Sequence, residues 1–140
     1  MKGRSRLVVS SVAVGTLAMS LLLSACGDDS SIGAPSLPDD PVIQRGEKVA
    51  ESAGCTGCHT ANGSKASGPT FRGLAGSRVE LTDGRTVDAD DVYLRSSITD
   101  PDADIVKGYP KGVMSAVMNN RKKLSDDDVT ALVAYIDALK

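Results

Sequence analysis

Cys55-Thr56-Gly57-Cys58-His59 is the one cluster in this 140-residue chain whose residue types and spacing point to a specific chemistry. Cys-x-x-Cys-His is the attachment sequence of a c-type haem. Two residues between the thiols put both sulfurs on one side of a helical turn, within reach of the two vinyl groups on one porphyrin edge. The next residue can then offer its imidazole to the iron. Competing readings need partners that the chain lacks. A zinc site built on Cys55 and Cys58 needs two more ligands, but there is no second Cys pair and His59 is the only His. A thioredoxin-like redox pair belongs in a βαβ context, and a plain disulfide does not require a following His. The pentapeptide is therefore read as the site of one covalently attached haem c.

A second axial histidine from the same chain is impossible, because His59 is alone. A Met thioether is the soft alternative, and it raises the reduction potential of the haem. Past the N-terminal segment only Met114 and Met118 remain. Met114 follows the Gly/Pro-rich Gly108-Tyr109-Pro110-Lys111-Gly112, which could carry a ligand to the distal face, and is expected to be the axial ligand. Met118 in that role, an open sixth position, and both methionines as core filler are the alternatives. Arg72, Arg78 and Arg95 could pair with haem propionates, or serve as ordinary surface arginines.

The elements that must position these residues are short. Asp40 can cap a helix with Pro41 at its first position, with Val42, Gly46, Val49, Ala50 and Ala53 on one face and Gly54 to end it. Val79 to Val87 reads as a hairpin around a two-residue Asp83-Gly84 turn. Asp88 can cap a second helix with Val92, Tyr93, Leu94 and Ile98 inside and Pro101 beyond its end. Ser125-Asp126-Asp127-Asp128 opens a last helix, whose apolar stripe is Val129, Leu132, Val133, Ile136 and Leu139. Residues 60–78 and 101–124 show little periodicity. Aromatics are only 3% of the chain, with no Trp, so a domain of small helices and long loops needs something besides its side chains at its centre.

The N-terminus reads as an address. Lys2, Arg4 and Arg6 precede an uncharged run from Leu7 to Leu23, diluted by Ser, Gly and Thr and short for a permanent span. It ends in Leu23-Ser24-Ala25-Cys26, which resembles the bacterial lipobox. The expectation is that residues 1–25 are removed, that Cys26 is lipidated, and that the acyl chains hold the protein on a membrane. Residues 26–40 are the lipidated Cys and a flexible linker of about 20 Å r.m.s. span, and 41–140 is the folded domain. Processing removes three of the 16 basic residues and none of the 18 acidic ones, leaving a net charge of −5. That balance excludes a generally basic nucleic-acid binder and suits partners with a basic docking face.

From about residue 42 to 140 the chain resembles the class I c-type cytochromes. It looks closest to the cytochrome c domain of bacterial terminal oxidase subunit II. The matching pieces are Cys55 to His59, Gly68-Pro69 with Leu74 and Gly76, the hairpin, Tyr93-Leu94 and Ser97-Ile98-Thr99-Asp100-Pro101. They continue through Gly108-Tyr109 with Met114, and Leu124-Ser125 leading into Leu132-Val133-Ala134-Tyr135-Ile136. The resemblance implies an all-α fold, the small cytochrome c fold, with helices around one haem and a short β-hairpin. The first and last helices would cross near the haem, Gly46 permitting close approach and Tyr135 packing across it. The Pro69 carbonyl would accept a hydrogen bond from His59. Two positions depart from the pattern: Ser115 stands where Pro usually follows the axial Met, and Val49 where an aromatic often sits, which suggests a looser helix crossing. The copper domain and membrane hairpin of an oxidase subunit are absent from the sequence.

The expected function is that of a membrane-tethered one-electron carrier, not an enzyme. Its partners would be extracytoplasmic redox proteins of a respiratory chain, such as a terminal oxidase or a quinol-oxidising complex, with no nucleic acid and no small-molecule substrate. The alternative is a haem-based sensor or enzyme subunit that binds a small ligand at a displaceable sixth position.

Overall fold

The computed structural model describes residues 36–140. The expected signal segment 1–25, Cys26 and linker residues up to 35 lie outside the described residues. Four helices and one hairpin make up the domain: α1 Pro41–Ser52, β1 Arg78–Glu80, β2 Thr86–Asp88, α2 Asp91–Thr99, α3 Val113–Asn119 and α4 Asp126–Ala138. A single 3-10 turn, Cys55–Gly57, follows α1. The fold is mainly helical, as expected. Among the described residues no helix is long and apolar enough to cross a membrane.

Helix α1 starts where the sequence says it should. The Asp40 carboxylate accepts from the N–H groups of Val42 (2.7 Å) and Ile43 (3.3 Å), and Pro41 takes the first position, where no N–H is needed. Gly54, at φ 72°, turns the chain out of the helix into the 3-10 turn. The inner face matches the expected one at Gly46, Val49 and Ala50 and differs at its start. Gly46 and Ala50 are buried and Ile43 and Val49 pack against the core, while Val42 is 48% exposed. Ile43 takes the inward place expected of Val42. Just before the helix, Leu37 also packs against the core, so the C-terminal end of the expected linker lies on the domain.

Helix α4 contributes more buried residues than any other helix or strand among the described residues. Its N-terminus is a reciprocal cap: the Ser125 hydroxyl accepts from the Asp128 N–H, and the Asp128 carboxylate accepts from the Ser125 N–H. Val129, Leu132, Val133, Ile136 and Leu139 are all buried, together with Ala131 and Tyr135. Helices α1 and α4 cross closely at Gly46. A Cβ there would lie 2.0 Å from the Ala131 carbonyl oxygen and 2.7 Å from the Tyr135 Cβ. The looser crossing that Val49 suggested is not found at this point, because the closeness is set by the glycine. Arg45 seals the same crossing with a 2.8 Å bond to Asp128.

Four local details correct the sequence reading. The cap of α2 is Asp90, whose carboxylate accepts from the Tyr93 N–H at 2.8 Å; Asp88 closes β2 instead. Leu94 and Ile98 of α2 are buried, but Val92 is 75% exposed. The hairpin pairs Arg78 with Asp88, Val79 with Val87 and Glu80 with Thr86. Its loop is not a two-residue turn: Gly84 N–H donates to Leu81 O and Leu81 N–H to Arg85 O, and only Gly84 has positive φ. That is the three-residue loop with a left-handed Gly, which spares Asp83 a strained backbone. Finally, α3 lies inside the stretch 101–124 that shows little periodicity. It is seven residues long, too short for its cleft-lining Met114, Val117 and Met118 to stand out as a periodic stripe.

The hairpin also braces the loop after α2. Thr82 N–H donates to Ile105 O and Lys107 N–H to Glu80 O, each at 2.8 Å, and Leu81 bridges Val106. Ion pairs of Arg85 with Asp104 and Lys107 with Glu80 reinforce the seam.

Two tests follow from the crossing. Gly46→Ala forces the helices apart and is expected to cost about 1–3 kcal/mol of holoprotein stability, measured by denaturant melts. The Arg45 and Ser125 bonds hold the Asp128 carboxyl down at about 2. Its folded value lies below the unfolded one near 3.9, so its stabilisation is present above about pH 4 and lost as pH falls toward 2. Wild-type and Asp128→Asn melts should differ at neutral pH and converge across that window.

Candidate haem-binding site

The attachment turn is tight because one carbonyl serves two amides. Cys58 N–H (3.1 Å) and His59 N–H (2.9 Å) both donate to Cys55 O. The turn leaves Cys55, Cys58 and His59 on the wall of one cleft, and both thiols are free and half-buried. Burial pushes the Cys55 thiol up, against the pull of Arg121, so it stays protonated at neutral pH. Arg121 lies against Gly54, where an added Cβ would meet its guanidinium at 2.6–2.7 Å.

His59 is held from three directions. Its Nδ1 lies 2.7 Å from the Pro69 carbonyl. A carbonyl only accepts, so Nδ1 carries the proton and Nε2 keeps its lone pair. Phe71 stacks on the imidazole with centroids 4.8 Å apart and planes 5° from parallel. Gly68 lies against the ring so closely that a Cβ would sit 2.6 Å from Cε1. Burial depresses the His59 pKa, and the Pro69 bond only partly opposes this. The ring is thus neutral at pH 7, with a defined tautomer and orientation, as a metal-binding imidazole requires.

Backbone pairing brings Pro69 to that place. Gly68 N–H donates to Cys58 O and Phe71 N–H to Thr60 O, both at 2.8 Å, while Thr70 Oγ1 donates to Thr60 O at 2.9 Å. The segment after His59 and the segment around Pro69 are zipped together across a loop without periodic pattern. Phe71 in turn meets Tyr135 edge-on at 6.3 Å and 82°. A path of packed rings therefore runs from His59 to the α1–α4 crossing.

Residues from α2, α3 and α4 complete the lining of the cleft: Leu94, Ile98, Met114, Met118, Leu132 and Ile136. The lining is mostly apolar. Met114 and Met118 are four residues apart on α3, both half-buried, and both line this cleft. None of Arg72, Arg78 and Arg95 lines it. Arg78 pairs with Asp88 at 3.8 Å and Arg95 donates to Thr130 at 2.8 Å. Ser115 donates to Asp102 Oδ2 at 2.7 Å, and Gly112 N–H to Asp102 Oδ1 at 2.9 Å. Those two bonds, Ser115 first, hold the Asp102 carboxyl below the usual range.

Sequence reasoning brought Cys55, Cys58, His59 and Met114 to one site and placed Pro69 beside His59. It missed Phe71 as the stacking partner and Asp102 as a partner of the Met114 segment. Both act across ten residues or more, and neither has a spacing signal.

Two thiols on one wall, a neutral imidazole beside them and an apolar cleft deep in the core define a helical protein that carries a flat macrocycle bound covalently to its chain. The family model for cytochrome c matches residues 43–140, and the chain belongs to the cytochrome c family. No curated protein matches it. The family carries covalent haem c, and Cys55 and Cys58 fit its attachment motif. Its general activity is haem-based electron transfer, typically without catalysis.

Gly68→Ala tests the imidazole seat. The added methyl must displace the ring from the Pro69 carbonyl, at a cost of about 1–3 kcal/mol. The haem absorption bands of the oxidised variant should shift, and haem retained per chain after a denaturing wash should be unchanged, because the thiols are untouched.

Proposed function

We propose that this protein is a monohaem one-electron carrier, tethered by lipid at the extracytoplasmic face of a membrane and passing electrons between respiratory redox proteins. The observation that carries the reading is the shared cleft. Cys55, Cys58, His59 and Met114 all line it, together with a mostly apolar set of side chains.

In this reading Cys55 and Cys58 would hold the haem through their thiols, and His59 and Met114 would hold its iron. When bound, the haem supplies reversible one-electron chemistry at its iron. Pro69 fixes the His59 tautomer, so that Nε2 is presented without a proton. Phe71 and Gly68 prevent the imidazole from turning, which keeps the ligand set the same in both oxidation states. Leu94, Ile98, Leu132 and Ile136 exclude water from the cleft, and a dry site limits solvent reorganisation on charge change. Thr56 and Gly57 of the attachment turn are exposed, so a partner can approach there. No general acid or nucleophile is required of the chain.

Residues 1–25 act as the export signal, Cys26 as the lipidated residue and 27–40 as the tether of the domain 41–140. The partners are redox proteins of the kind that meet the cytochrome c domain of oxidase subunit II, such as a terminal oxidase or a quinol-oxidising complex.

The test is a spectrum and a mass. Protein matured in a host with haem-attachment machinery should carry one haem per chain after denaturation, and a lipid at Cys26. It should titrate reversibly with one electron, show the near-infrared band of Met ligation when oxidised, and resist carbon monoxide when reduced. Met114→Ala should lower the potential and admit carbon monoxide, while Met118→Ala should do neither. Rapid stoichiometric carbon monoxide binding by the wild type would instead support a ligand-binding sensor, and a haem-free chain would overturn the carrier altogether.

A further inference from the structure

Helix α3 carries Met114, yet it has little of its own to hold it in place. None of its residues is fully buried, and Val113 and Val117, which line the cleft, are 46% and 37% exposed. Its N-cap is Gly112, at φ 87°, which has no side chain to satisfy the first turn. This end of the helix is tied instead by Asp102, ten residues upstream of Gly112. Asp102 accepts from the Gly112 N–H (2.9 Å) through Oδ1 and from the Ser115 hydroxyl (2.7 Å) through Oδ2. The two anchored residues bracket Met114.

Resting on the reading of Met114 as an axial ligand, we propose that Asp102 is its positioning residue. One carboxylate, bonded on both sides of Met114, fixes the first turn of α3 and holds the thioether at the cleft. The carboxylate is itself immobilised. Its loop is stitched to the hairpin at Ile105, Val106 and Lys107, and Asp104 pairs with Arg85. The restraint therefore runs from β1–β2 through the loop to Asp102 and on to the turn that carries Met114. Met118, one turn later, has no comparable tether; the nearest side-chain bond is the local one from Asn120 to Ala116 O. Ser115 is part of the device, since its hydroxyl is the second point of attachment.

The test uses full-length holoprotein carrying Asp102→Ala, Asp102→Asn, Ser115→Ala or Met114→Ala. The readouts are the near-infrared band of the oxidised form, the reduction potential, carbon monoxide binding to the reduced form, and hydrogen exchange of residues 112–119. Asp102→Ala should bind carbon monoxide about tenfold faster than wild type, the scale of losing a carboxylate hydrogen bond. Its near-infrared band should weaken, its potential fall and its exchange rise over that segment. Ser115→Ala should move all four in the same direction by less, and Asp102→Asn, which keeps an acceptor, should recover part of the loss. If Met114→Ala abolishes the near-infrared band while Asp102→Ala and Ser115→Ala leave it and carbon monoxide binding at wild-type values, the positioning role is wrong and the ligand assignment stands. If Met114→Ala leaves the band intact, the ligand assignment itself has failed. Should Asp102→Ala not retain haem, Ser115→Ala decides: wild-type behaviour in it overturns the proposal.

Discussion

The hydrogen bond from His59 Nδ1 to the Pro69 carbonyl is the constraint on which the site depends. It decides which imidazole nitrogen carries the proton, and so which one keeps a lone pair. Two segments must meet to make it, and neither has a regular element of its own. Their meeting is secured by backbone bonds between Cys58 and Gly68 and between Thr60 and Phe71. Gly68 is needed there because nothing larger fits beside the ring. The attachment motif is a local feature, but its chemistry is completed by residues about ten positions away.

The same few aromatic rings link the site to the scaffold. The chain has one Phe and three Tyr, and two of these four form the contact from His59 to the helix crossing. Tyr135 touches Gly46 at the point where α1 and α4 approach most closely. An aromatic-poor core is therefore arranged around the ligand side of the cleft. The cleft lining is mostly apolar, and haem c held there would pack against it.

Much of this could be read from the residues, in proportion to how local the causes are. Asp40-Pro41 and Ser125 to Asp128 announce helix starts, because caps are made within three residues. The α4 stripe is legible since every apolar position on it is buried. Cys55 to His59 is legible because covalent attachment demands that order. Other features are not. At the start of α1 Val42 looked internal, but Ile43 takes the inward place. Asp88 and Asp90 are equally good caps on paper, and strand pairing at Asp88 decides between them. Helix α3 escaped because seven residues are too few to establish a period, although Met114, Val117 and Met118 share the cleft-lining face. Asp102, like Phe71, takes its meaning from a partner that only the folded chain brings near.

The two walls of the cleft are fastened by different means. The His59 wall is tied into the buried core through Phe71 and Tyr135. Helix α3 has no fully buried residue and is tied at its start by the polar bonds to Asp102. Polar bonds open to water yield at lower free energy than a packed core. Under heat or denaturant the molecule should therefore come apart in sequence: α3 swings away while α1 and α4 remain crossed, leaving a partly opened state that keeps its prosthetic group and can close again on cooling.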